Sequence, residues 1–99
     1  MRIRDSDSFF VYIITNPRKT VLYTGMTNDL KRRLKEHFDS RGKADHFASK
    51  FFCFKLLYFE VFDTAREAIF REKEIKNMTR EKKLVLIKEA NSEMDFLVI

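Results

Sequence analysis

The apolar positions of this chain change period repeatedly, and each change marks an element. Phe9-Phe10-Val11-Tyr12-Ile13-Ile14-Thr15 is a run of aromatic and β-branched residues that predicts a strand. Asn16-Pro17-Arg18-Lys19 then predicts a turn, because Pro17 fixes φ and Asn16 favours turn entry. Thr20-Val21-Leu22-Tyr23-Thr24 predicts a second short strand, ended by Gly25, and the pair makes a hairpin. A turn symmetric about Pro17 and Arg18 would set Tyr12 directly opposite Tyr23, with both phenols on one sheet face about 5 Å apart at Cβ. A one-residue slip would separate them.

Beyond the hairpin the period lengthens. Thr27-Asn28-Asp29 supplies capping side chains, and Leu30, Leu34 and Phe38 recur at four-residue spacing. This predicts a helix to about Phe38 or Asp39 with those three as its buried stripe. Residues 40–50 form a basic, polar loop with a short helix over 45–50. Phe51 to Phe54 leads into a third strand near residues 55–62. Thr64-Ala65-Arg66-Glu67 is a capping box that opens a helix to about Asn77, with Ala65, Ala68, Ile69 and Ile75 on its apolar face. A last helix begins at Met78 or Thr79 and carries Leu84-Val85-Leu86-Ile87. The order strand, strand, helix, strand, helix, helix predicts an α+β domain: a three-stranded, mainly antiparallel sheet flanked by helices. Its expected bounds are residues 9–90, with a flexible N-terminus over 1–8 and a tail over 91–99.

Polar residues on these apolar faces carry the chemical signal. Glu72 lies four residues after Ala68 and three before Ile75, so it points inward with them. A carboxylate there must be paired, hydrated in a cleft or bound to a cation, and a salt bridge to a buried Arg is the plainer alternative. Arg33 and His37 fall on the buried side of the first helix. An Arg stem over the core and a satisfied boundary histidine are their ordinary roles. Tyr12 and Tyr23, taken singly, are ordinary strand residues. Together, two phenols, a guanidinium, an imidazole and a carboxylate match the needs of phosphodiester cleavage: metal binding, phosphate binding and water activation. A phenol would act as base if a metal or Arg lowered its pKa from about 10.

Composition narrows the class. The chain has 99 residues, 44% hydrophobic and 35% charged, which fits one ordinary globular domain. Its 11 phenylalanines suit a small core. A net charge of +5 favours polyanionic partners. The lone Cys53 excludes an internal disulfide and reads as a small core residue, and with two histidines no standard zinc site can be written. No membrane span or apolar signal region is visible, so a cytoplasmic setting is the expectation.

Val11-Tyr12-Ile13, Tyr23-Thr24-Gly25, Leu30-Lys31-Arg32-Arg33 with His37, and Ala68-Ile69-Phe70-Arg71-Glu72 occur in that order. On these motifs residues 9 to 88 resemble the GIY-YIG nuclease superfamily, in its short stand-alone bacterial, excinuclease-like form, named after the N-terminal nuclease domain of an excinuclease. The first motif lacks its glycine (Phe10-Val11-Tyr12), and the second has Thr24 for isoleucine. The resemblance implies that Tyr12, Tyr23, Arg33, His37 and Glu72 are catalytic, with Tyr12 the preferred residue to activate water. It implies that Gly25 lets the backbone turn closely beside the site. It also implies that Glu72 holds a single divalent ion, Mg2+ or Mn2+. The implied activity is endonucleolytic cleavage of DNA in branched, nicked or single-stranded form, as used in repair or recombination, with RNA not excluded. Lys31, Arg32, Arg41, Lys43 and Lys50 are candidate nucleic-acid contacts. A non-catalytic nucleic-acid-binding module is the alternative on the same basic stretches. An adaptor using Phe47, Phe51 or Phe52 is a third, although those rings read better as core or lid.

Overall fold

Three antiparallel strands lie in the order β2-β1-β3, with β1 Phe9–Thr15 in the centre, β2 Leu22–Thr27 and β3 Lys55–Phe62. Four helices complete the fold among the described residues: α1 Leu30–Asp39, α2 Phe47–Lys50, α3 Ala65–Lys76 and α4 Arg80–Ala90. This computed structural model describes residues 8–99, so the expected flexible N-terminus falls, except for Ser8, outside the described residues. The α+β architecture and its antiparallel sheet match the sequence expectation.

The helix starts are set by local hydrogen bonds. Side chains of Asp29, Thr64 and Thr79 accept from the backbone N–H of Arg32, Glu67 and Lys82, capping α1, α3 and α4. The Thr64 hydroxyl also donates to the Glu67 carboxylate at 2.9 Å, where a full capping box would use the Thr64 backbone N–H.

The strand β1 is buried on both faces, so its side chains alternate between two cores. Phe10, Tyr12 and Ile14 pack with Leu30 of α1, Ala48 of α2, and Cys53 and Leu56. Val11 and Ile13 pack on the opposite face with Ala68 and Ile75 of α3 and Ile87 of α4. Cys53 is the core residue it was expected to be, and burial pushes its thiol up to about 11.

The hairpin departs from the symmetric reading. Tyr12 pairs with Gly25 and Ile14 with Tyr23, and the last pair is Thr15 with Leu22. The connection is two residues longer than expected because Asn16 organises it. Its side-chain oxygen accepts from the N–H of Thr20 and Val21 at 2.8 and 2.9 Å, while Thr15 Oγ1 donates to the Val21 carbonyl at 2.7 Å. Lys19 turns the chain with a φ of 60°. Gly25 therefore lies inside β2 and does not end it. A shift of two residues keeps the face, so Tyr12 and Tyr23 still project together, diagonally.

Other corrections concern which rings are buried. Phe38 is exposed, and its neighbour His37 takes the buried place at the end of α1. Ile69 is exposed on α3. Phe47, Phe51 and Phe52 are 52, 40 and 49% exposed, so they are not core residues. The segment 91–99 returns across the sheet. The Leu97 N–H donates to the Leu56 carbonyl at 2.8 Å and Asn91 Nδ2 to the Leu57 carbonyl at 3.0 Å. Leu97 and Ile99 join one core while Met94 and Phe96 join the other, so the segment wraps the free edge of β3.

Candidate active site

The centre of β1 presents Tyr12 to α1, and two residues one turn apart on that helix meet its hydroxyl. His37 Nε2 lies 2.8 Å from the Tyr12 oxygen, and Arg33 Nε donates to it at 3.4 Å. A guanidinium can only donate. The phenol oxygen therefore accepts from Arg33, and the direction of its bond with His37 Nε2 follows the imidazole tautomer. Arg33 is also held by Glu36, its NH1 lying 3.0 Å from Oε1.

Electrostatics follow from this enclosure. Burial pushes the Tyr12 phenol up to about 12, outweighing the hydrogen bond and charge of Arg33, while Tyr23 and Glu72 push it further the same way. Arg33 alone therefore does not lower the Tyr12 phenol. Burial, then the Arg33 charge, pull His37 down to about 4, so the imidazole is neutral near pH 7. The Tyr12 hydrogen bond drives the Arg33 pKa upward, and its charge is permanent.

Tyr23 completes the group from β2. Its ring meets the His37 ring edge-on, with centroids 5.7 Å apart, the same separation as between Tyr12 and His37. The histidine thus joins two tyrosines that are not cross-strand partners. Beyond them opens a cleft of about 280 Å³ lined by Tyr23, Arg33, Glu36, His37, His46 and Ser49, among others. Tyr12 is fully buried behind this wall, so Tyr23 is the phenol that faces the cleft. Gly25 is required by contact. A β-carbon there would overlap the oxygen and Cζ of Tyr12.

Glu72 is placed differently. It belongs to α3, which packs on the sheet face opposite α1, and it does not line the cleft. Its side chain is 20% exposed and lies 3.3 Å from Lys76 Nζ, one turn along. The expected pairing is thus with a half-exposed lysine on its own helix and not with a buried Arg. Its charge still acts on the Tyr12 phenol. Among the described residues no three His, Cys, Asp or Glu side chains gather as a metal cage. A single carboxylate nonetheless suits a hard cation such as Mg2+, which keeps several waters and takes its remaining oxygens from phosphate.

The buried arginine bridge exists one residue earlier. Arg71 grips the Glu60 carboxylate through Nε at 2.9 Å and NH2 at 3.0 Å, and the Tyr58 hydroxyl donates to the same carboxylate. Burial pulls Glu60 upward, but these bonds outweigh it and hold the carboxyl below its usual range.

The basic candidates divide. Arg32 is engaged with Glu36 at 2.8 Å and Asp29 at 3.6 Å on the outer side of α1, and Lys31 is exposed on the same helix. Arg41, Lys43 and Lys50 stand exposed on and around the loop that carries α2. Sequence reasoning missed Glu36, His46 and Ser49 as cleft residues. Only His46, an unassigned histidine in a basic loop, offered a signal.

Residues 8–84 match the GIY-YIG catalytic domain. A UPF0213 protein of Staphylococcus aureus (strain Mu3) is 42% identical over 83 residues, covering 84% of this chain and 98% of its own. A UPF0213 protein of Haloquadratum walsbyi is 40% identical over 84 residues, covering 85% and 91%. The solution NMR structure of a UPF0213 protein from Bacillus halodurans aligns with a TM-score of 0.54 and 31% identity, over 85% of this chain and 86% of that one. Ordered motifs, sheet topology and relatives agree, and the chain belongs to the GIY-YIG family, with small UPF0213 proteins as its relatives.

Proposed function

We propose that this protein is a divalent-metal-dependent endonuclease that hydrolyses phosphodiester bonds in DNA. The observation that carries the reading is the convergence of Arg33 and Tyr23 on one cleft, locked from behind by Tyr12 and His37. A fork of permanent positive charge beside a phenol suits a phosphodiester and its attacking water.

Arg33 binds the phosphate and offsets the charge that develops on it. Its grip by Tyr12 and Glu36 means that little reorganisation is needed when the phosphate arrives. Tyr23, the cleft-facing phenol, replaces Tyr12 as the residue that orients the attacking water. Tyr12 positions Arg33 and His37. Glu72 would hold Mg2+ or Mn2+, which supplies polarisation of the phosphate and stabilisation of the leaving oxygen. No helix among the described residues is long and apolar enough to cross a membrane, and the +5 charge suits a DNA partner.

The test is a nicking assay on plasmid DNA with Mg2+ or Mn2+, against chelator, for the wild type, Arg33→Ala and Glu72→Ala. Metal-dependent nicking lost in both variants is the expected result. Nicking that persists unchanged in both overturns the assignment. Salt-sensitive DNA binding with no nicking under any metal would favour the binding-module alternative.

A further inference from the structure

Three half-exposed phenylalanine rings lie on and just after α2, in a chain with a small core to fill. Phe47 and Phe51 belong to α2 and its C-terminal boundary, and their ring centroids are 4.8 Å apart. Phe52 follows with a φ of 58°, a left-handed conformation that bulky residues rarely adopt. Its ring lies over Gly42, where an added β-carbon would come within 3.3 Å of Phe52 Cζ. Backbone bonds hold this shape, with the Gly42 and Phe52 N–H groups both donating to the Ser49 carbonyl, at 2.7 and 3.2 Å. Contiguous exposed apolar groups on a small protein mark an interaction site more often than chance exposure.

Two further observations say what covers these rings. The first is continuity: Phe47 stacks on Tyr23, with centroids 6.4 Å apart and planes within 23°, so the aromatic surface runs directly into the cleft. The second is charge. Lys50 Nζ lies 5.6 Å from the Phe51 ring, and Arg41 and Lys43 stand on the same loop, whose one carboxylate is Asp45. Flat apolar rings among cations are what an unpaired polynucleotide strand takes: bases stack on the rings while phosphates meet the cations. A duplex cannot use them, because its base faces are already stacked on one another.

We infer that Phe47, Phe51 and Phe52, with Lys50, form a stacking platform for unpaired DNA bases next to the scissile phosphate. The preferred substrate is then single-stranded DNA or the unpaired part of a junction or flap. This deepens the nuclease reading and rests on it for the position of the phosphate, but the platform itself can be tested without cleavage.

The experiment is anisotropy of a labelled mixed-sequence DNA oligonucleotide in chelator, single-stranded or annealed to its complement. The wild type binds the single strand more tightly. The Phe51→Ala/Phe52→Ala double variant, checked for an unchanged melting curve, loses roughly tenfold or more in that affinity and little for the duplex. The chain has no tryptophan, so Phe51→Trp installs a sole indole whose fluorescence is quenched when bases stack on it. Equal wild-type affinity for the duplex, unchanged single-strand affinity in the double variant, binding without quenching, or binding of an RNA strand but not DNA each overturns the platform. Ring-dependent binding with no cutting after Mg2+ is added supports the platform and retires the nuclease reading alone. Metal-dependent cutting with binding indifferent to the rings retires the platform alone.

Discussion

Tyr12 and Gly25 are cross-strand partners, and the Tyr12 phenol occupies the space that a side chain on Gly25 would need. The glycine is therefore a packing requirement of the phenol that holds Arg33 and His37. Gly25→Ala forces the Tyr12 hydroxyl away from both. We expect a loss of about 1–3 kcal/mol in urea unfolding and a larger proportional loss of nicking. Tyr12→Phe separates the two effects, since it keeps the ring and removes the hydroxyl. It leaves His37 Nε2 buried without this partner, at a cost of about 1–3 kcal/mol, and leaves Arg33 held by Glu36 alone.

His37 makes stability depend on pH. Its folded pKa of about 4 lies below its unfolded value near 6.5. Between those values the unfolded chain binds a proton that the folded chain does not, so stability rises with pH across this window. The contribution is complete above pH 6.5 and is lost as pH falls toward 4, by up to about 3 kcal/mol. Urea unfolding at a series of pH values should show this slope, and His37→Gln should flatten it. A slope that persists in the variant would assign it to another group.

The parts of this fold that depend on neighbours in sequence were legible, and those that depend on geometry between elements were not. The caps at Asp29, Thr64 and Thr79 reach only three residues along the chain, so their spacing displays them. The hairpin register depends on how Asn16 folds its amide back onto Thr20 and Val21, which adds two residues to the turn. The stripe of α1 predicted Phe38 as buried, but His37 takes that place because Tyr12 and Tyr23 face it. Apolar character alone placed Phe47, Phe51 and Phe52 inside, where the core already holds Ala48 and Cys53. The return of Leu97 and Ile99 is a long-range contact with no local pattern. At the site, the family motifs named Tyr12, Tyr23, Arg33 and Glu72, but the sequence could not say that one phenol is sealed and the other faces the cleft.

Arg71 and Glu72 are adjacent in sequence and should separate stability from activity. Arg71 is three-quarters buried and holds Glu60 by two hydrogen bonds. Arg71→Met leaves that largely buried carboxylate with only Tyr58, and should destabilise the fold by about 1–3 kcal/mol. The Glu60 carboxyl sits below its unfolded value. Its stabilisation is therefore present above the ordinary carboxylate pKa and is lost as pH falls through the folded one. The variant should show less acid sensitivity in that range. Nicking per folded molecule should stay near the wild-type rate, because the Arg71 guanidinium is committed to Glu60.

Glu72→Gln should do the opposite. Its one ion-pair partner among the described residues is Lys76, at 3.3 Å and half exposed, so losing the charge should change stability by no more than about 0.5 kcal/mol. Cleavage should fall by about 100-fold or more, the order seen when a group that stabilises developing charge is removed. Lys76 supplies an independent check. It competes with a divalent ion for the same carboxylate, so Lys76→Ala should lower the Mg2+ concentration needed for half-maximal nicking. An unchanged Mg2+ requirement in Lys76→Ala, together with full activity in Glu72→Gln, would remove Glu72 from the metal site and leave the cleft of Tyr23 and Arg33 to be explained without it.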